Sequence, residues 1–345
     1  MTQEASMTDR IHGKPIDIAK LKQPVLSDIR GHLEKIERIV HYLSEKETAI
    51  EQESCYICDN NAREHLVDIH GFNYVTCSDC GHVYTTRRYT DDAIRRFYED
   101  NAYWAKVTYA NKETCQYRRE NVARPKVEFA ERYLSNTRGV WLDIGSGIGD
   151  IVSVAKERGW QAVGLELSAT SVEFALEVFG VELQRQTLDE YLDSNPGIIG
   201  ELSVVSMIGL LEHIVDPMAM LRRVRSALRA GGGVMIQVPN AYSLTTMIQE
   251  TSPENVFRHM SPIEHIMLFT ESSLTRALEL AGFEIVAHWY HGLDVYELMV
   301  NQILNNSRIS SSRLYRALVE AMNDLQMVID KRELSDRIIC VARVC

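Results

Sequence analysis

The 345-residue chain contains no run approaching the roughly 20 consecutive apolar residues that a membrane-spanning helix needs, so no membrane span is expected. Its first residues, MTQEASMTDRIHGK, lack the apolar stretch of a secretory signal, and the expected location is cytoplasmic. A basic excess is missing too: 48 Asp plus Glu outnumber 37 Lys plus Arg, for a formal net charge of −11. The summed field repels a phosphate backbone, which makes nucleic acid a poor default partner. Internal repeats and low-complexity tracts are also lacking. What is present, 45% hydrophobic and 25% charged residues, suits a globular chain with a sizeable core in two or three units and excludes a disordered or collagen-like one.

Seven cysteines cannot all pair, and four of them form two CxxC pairs. Cys55-x2-Cys58 is followed after eighteen residues by Cys77-x2-Cys80 and Gly81, a spacing that fits a four-thiolate zinc site. Four protein ligands close the coordination shell, so such an ion holds structure and performs no chemistry. Short alternating segments such as FNYVTC make residues 51–90 a small zinc ribbon, whose missing core a metal would offset. Cys115, Cys340 and Cys345 have no matching partners.

Before the ribbon, within residues 1–50, Leu26, Ile29, Leu33, Ile36, Ile39, Val40 and Leu43 recur at helical spacing. That stripe either packs on the body of the protein or joins two copies as a homodimer. Residues 91–135 read as an aromatic and basic helical connector and cap, ending in RPKVEFAERYL with Pro125 in a first turn.

From residue 136 to 345, apolar strands alternate with amphipathic helices, the pattern of a doubly wound, mostly parallel α/β sheet. The strands are GVWLDIG, QAVGLEL, VELQRQ, SVVSMIGL, GVMIQVP, FEIVAHWY and DRIICVARV, seven in all, with a helical insertion at 291–335.

Asp143 ends the first of these strands, and Gly145, Gly147 and Gly149 open the next helix. The spacing is GxGxG, with Asp150 where a dinucleotide fingerprint has its third glycine. Carboxylates at 143 and 150 oppose a pyrophosphate but suit the sulfonium and ammonium of S-adenosylmethionine. Glu166 ends the second strand nineteen positions after Gly147, where a carboxylate can take both ribose hydroxyls.

LDIGSGIGD, GLELS, SMIGLLEHIVDP, LRAGGGVMIQVPN and PIEHIMLFTESSLTRALELAGFEIV, taken in order, resemble the class I S-adenosylmethionine-dependent methyltransferases, which have a Rossmann-like sheet. The resemblance implies that Asp143, Gly145, Ser146, Gly147 and Gly149 hold the methionine end of the donor and that Glu166, with Leu167, holds the ribose. It puts adenine near Gln186, Thr187 and Leu188, and lines the pocket with Met207, Ile208 and Gly209. The cysteine segment with CGHVYTTRRYT also resembles the zinc-binding segment of several sugar-modifying methyltransferases.

Methyl transfer to oxygen or nitrogen also releases a proton, and two Glu-His pairs are available to take it. Glu212-His213 follows the fourth strand, at the sheet end where ligands bind, and Glu264-His265 precedes a later helix. His213 is the first choice of base and His265 the second; Arg258 and His259, or Arg118 and Arg119, could instead meet a substrate phosphate. The leading reading is a methyltransferase for a small-molecule acceptor such as a nucleotide-linked or polysaccharide-precursor sugar. The alternatives are an RNA or protein methyltransferase reading its substrate through the ribbon, and a non-catalytic cofactor-binding scaffold.

Overall fold

The structure, a computed structural model, describes residues 8–90, 92–93, 112–134, 138–256 and 258–345. Thirteen strands are assigned in it: β1 Asp9–His12, β2 Ala49–Glu51, β3 Arg63–Ile69, β4 Phe72–Cys77, β5 Val83–Thr85, β6 Arg87–Tyr89, β7 Val140–Ile144, β8 Gln161–Leu165, β9 Leu202–Ile208, β10 Leu228–Pro239, β11 Met267–Leu268, β12 Phe283–Tyr290 and β13 Arg337–Val344.

Seven of these form one sheet in the order β1-β12-β13-β10-β9-β7-β8. Only β13 runs against its neighbours, β12 and β10; the other pairs are parallel. Successive side chains alternate between faces, so Leu142, Val205, Ile236 and Cys340 enter one core while Trp141, Val204, Met235 and Val341 enter another. This is the expected Rossmann-like architecture with one strand exchanged. VELQRQ is not a strand; its single parallel bridge is Leu165 with Gln184. Its apolar positions Val181 and Leu183 are nevertheless buried, so the alternation there records burial and not pairing. The seventh strand is instead β1, beside β12 at the opposite edge. Residues 1–50 are therefore not a purely helical segment set apart from the sheet.

The amphipathic helix is Ile29–Lys46, capped by Asp28. Its Ile29, Leu33, Ile36, Val40 and Leu43 are buried in a third core with Tyr296, Met299, Val300 and Met322, which belong to helices Asp294–Asn305 and Arg313–Asp330. Those five positions of the stripe are thus covered within the chain, as in the first of its two readings, packing on the body of the protein. Those two helices are the 291–335 insertion, whose role is to bury the N-terminal helices.

The cysteine ribbon is less separate than its sequence implies. Strands β3, β4 and β5 form a sheet completed by β11, from far along the chain, with Met267 opposite Tyr84 and Leu268 opposite Val83. Cys55, Ile57, Val75, Cys77 and Tyr84 belong to the same core as β7, β9 and β10. Of the connector, residues 94–111 lie outside the described residues. The rest continues as helix Lys112–Arg118, a π-helical turn Arg119–Ala123, and helix Arg124–Tyr133 with Pro125 in its first turn.

Candidate active site

Parallel strands end together, and here the ends of β7, β9 and β10 surround a cavity of about 310 Å³. That volume is at the lower end for small-molecule sites. Asp143, Gly145, Ser146, Gly147 and Asp150 line it from β7 and the following turn, Ile208, Gly209, Glu212 and His213 from β9, and Gln237 and Pro239 from β10. The antiparallel β13 starts at this end and adds Arg337. Arg258, His259 and His265 come from the segment before β11, and Leu21, Lys22, Arg118, Val122 and Lys126 from the helices over the opening.

The glycine turn is rigidly hung. Gly145 and Ser146 each donate from N–H to the Leu165 carbonyl at 2.9 Å, and Gly149 N–H donates to Ser146 O at 2.9 Å. Gly145 and Gly149 have φ of 71° and 73°, a region that side chains avoid. At Gly145 a Cβ would also come 3.1 Å from Leu210. One Glu166 oxygen accepts from Gly147 N–H and the other from Ser168 N–H, both at 2.8 Å. Those bonds clamp the acid beside the turn, leaving lone pairs on both oxygens.

Asp143 is fully enclosed. Burial pushes its carboxyl up to about 7, against hydrogen bonding from Ser206. Trp141 Nε1 donates to Ser206 Oγ at 2.8 Å, and Ser206 in turn donates to Asp143 Oδ1. This chain orients the acid, and sequence reading missed it because Trp141 and Ser206 lie on different strands.

On the other wall, His213 Nδ1 lies 2.6 Å from the Glu264 carbonyl, and His265 Nδ1 contacts the His259 carbonyl. A carbonyl only accepts, so each Nδ1 carries the proton and each Nε2 keeps a lone pair. The two rings meet edge to face at 4.7 Å. Burial lowers His213 to about 4 and His265 well below its usual range, so both are neutral at pH 7. Burial raises Glu212 to about 8, and its Oε2 has no hydrogen-bond partner. Glu212 lines the cavity. Donor atoms of Glu212, His213 and His265 lie within 4.8 Å of one another, close enough to share a proton or one cation.

The ribbon reaches this wall. Tyr74 Oη on β4 donates to the His265 carbonyl at 2.8 Å, Thr85 N–H to Ile266 O at 2.9 Å, and Ile266 N–H to Glu212 O at 3.1 Å. At its far end the sulfurs of Cys55 and Cys80 are 3.6 Å apart and those of Cys58 and Cys77 3.5 Å, with all four within 4.8 Å. Four sulfurs bound about 2.3 Å from one tetrahedral ion would be about 3.8 Å apart, so the donor set fits Zn2+. Burial pushes the Cys58 thiol up to about 12, and a cation would be needed to hold it ionised. His82 is buried, with Nδ1 3.2 Å from Ser273 Oγ, and serves as no ligand in this arrangement.

Some sequence-predicted residues lie elsewhere. Glu264 offers its carbonyl to His213, but its carboxylate does not line the cavity. Met207 and Leu188 are buried in the core, and Thr187 caps helix Leu188–Ser194 in a capping box with Glu190. None of these lines the cavity, nor do Gly149, Glu166, Leu167 or Gln186; Glu166 meets it only through the turn it clamps at Gly147. Arg119, largely buried, is held by Glu120, Glu157 and Ser153 Oγ and does not line the cavity. Lys22, Lys126, Gln237 and Arg337, which carried no sequence signal, do line it.

A family model described as a methyltransferase domain matches residues 115–288. The chain belongs to this family, whose class I members use S-adenosylmethionine. Among curated proteins it is similar to the ubiquinone biosynthesis O-methyltransferase of Aeromonas salmonicida, at 30% identity over 149 residues, covering 41% of this chain and 61% of that protein. The enzyme of the same name from Idiomarina loihiensis is 26% identical over 154 residues, covering 42% and 62%. The chain thus spans about three fifths of these relatives' length. Among solved structures, a SAM-dependent methyltransferase from Archaeoglobus fulgidus overlays with TM-score 0.44 at 20% identity, covering 65% of this chain and 94% of that one.

Proposed function

We propose that the protein transfers a methyl group from S-adenosylmethionine to an oxygen of a small-molecule acceptor. One observation carries this reading: the glycine turn and the Glu212–His213–His265 group line the same cavity. When bound, S-adenosylmethionine supplies a methyl group already activated on a sulfonium. Asp143 and Asp150 are acids suited to its cationic end, and Glu166, fixed by two backbone amides, to its ribose. The remaining task of the chain is alignment, which can contribute about 7 to 11 kcal/mol. Neutral His213, or the Glu212 carboxylate once ionised, takes the hydroxyl proton of the acceptor.

The curated relatives are named as O-methyltransferases of ubiquinone biosynthesis, which supports oxygen as the acceptor atom and a small molecule as its bearer. A nucleotide-linked or polysaccharide-precursor sugar is a narrower version resting on the ribbon alone. Among the described residues no helix is long and apolar enough to cross a membrane, and no cysteine is in a disulfide; a cytoplasmic location is the reading that goes with both. The test is incubation of the whole protein and cell extract with methyl-labelled S-adenosylmethionine, followed by mass spectrometry. Label in a small molecule supports the reading. Label confined to RNA or protein replaces it, and binding of the donor without any methyl release points to a scaffold.

A further inference from the structure

The cavity wall is unusually rich in positive charge for a site that must receive a cationic donor. Lys22, Arg118, Lys126, Arg258 and Arg337 all line it. Three are spoken for: Arg258 pairs with Asp336 and, at 3.2 Å, with Glu297, Arg337 lies 3.5 Å from Asp336, and Arg118 is engaged as well. Two are not. Neither Lys126, only 4% exposed, nor Lys22 has an ion-pair or hydrogen-bond partner among the described residues.

The lysines differ in their neighbours. Arg337 and Arg118 bear on Lys126 as they do on Lys22, but Asp150 and Asp143 offset them there, which places Lys126 by the glycine turn. On Lys22 bear Arg258, Arg118 and Arg337, against Glu297. Burial and those guanidiniums hold Lys22 well below the usual lysine range, so an uncompensated ammonium is costly there. S-adenosylmethionine cannot correct this: one carboxylate against a sulfonium and an ammonium leaves it net positive. Its single carboxylate can meet one of the two lysines, and Lys126 is the one beside the glycine turn. The acceptor is the other molecule that enters.

Building on the methyltransferase reading, we propose that the acceptor carries an anionic oxygen group, a carboxylate or phosphoryl, that docks on Lys22 beside Arg258 and Arg337. Arg258 and His259, which the sequence alone suggests for such a group, then act from behind, since Asp336 already holds both. Lys22 lies where helix Ile18–Ser27 breaks, with non-helical φ −125° and ψ 15°, and this turn carries its side chain to the cavity. An acceptor held there would be fixed by charge at one end and deprotonated by Glu212 or His213 at the other.

The test uses the whole protein saturated with S-adenosylhomocysteine and titrated with benzoate, inorganic phosphate and the neutral control benzamide. Saturable binding of benzoate or phosphate is expected, with benzamide not binding. Lys22→Gln should weaken the bound anion at least about tenfold, the scale of a lost charged hydrogen bond, while Lys22→Arg retains it. S-adenosylhomocysteine affinity should be unchanged in both variants. Benzoate alone binding identifies a carboxylate acceptor, and phosphate alone a phosphoryl one. The proposal is overturned if neither anion saturates, if benzamide binds as well as benzoate, or if Lys22→Gln binds like the parent. Failure of S-adenosylhomocysteine itself to bind would defeat the donor reading instead, and the same titrations without it would then decide the anion site.

Discussion

Among the described residues two groups of side chains can gather around a cation, and they are built differently. The thiols of Cys55, Cys58, Cys77 and Cys80 lie within 4.8 Å of one another, four donors that suit a tetrahedral ion. Glu212, His213 and His265 present three donors and leave the fourth side to the cavity. A closed set holds structure, and an open one can act on a molecule that enters. The two are joined through Tyr74 and β11, so the closed set braces the open one.

Removing one thiol should disturb the molecule most. Cys77→Ser is expected to lose the metal and several kcal/mol of stability, because the ribbon shares the main core. Metal analysis and a thermal melt check this together; unchanged melting of a metal-free protein would strip the closed set of its structural role. At the open set, His213→Ala should lower turnover about 10²-fold with little change in S-adenosylhomocysteine affinity. Equal loss of both would make His213 a donor contact and not a base.

The pH profile separates the members of the open set. A base works when deprotonated. If Glu212 takes the proton, turnover rises as pH rises through about 8, and Glu212→Gln abolishes that step. If His213 acts alone, its value near 4 leaves the profile flat above pH 6 or so, in the parent and in the variant. A change outside both groups should matter least: Arg87→Ala, losing its exposed ion pair with Glu51, should change stability by under about 1 kcal/mol and leave turnover alone.

What was legible in the sequence was local. Asp143 and its glycines are contiguous, Glu166 lies at a fixed offset, and the cysteines carry their spacing, so each could be read without knowing what folds against what. The cations of the cavity could not, because Lys22, Lys126 and Arg337 come from remote parts of the chain and meet only after the sheet is ordered. The edges of the sheet failed for a related reason. DRIH shows no apolar alternation, yet its backbone supplies hydrogen bonds to the open edge of β12; VELQRQ alternates well and forms one bridge. Pairing at an edge depends on what neighbour is available, which a side-chain pattern does not encode.

Calorimetric titration of the whole protein with S-adenosylhomocysteine and, separately, with NADH decides whether the glycine turn serves a sulfonium nucleoside or a dinucleotide. Saturable one-site binding of S-adenosylhomocysteine is predicted, weakened about tenfold or more in Glu166→Ala, with no heat from NADH. Saturable heat with NADH and none with S-adenosylhomocysteine would contradict that assignment.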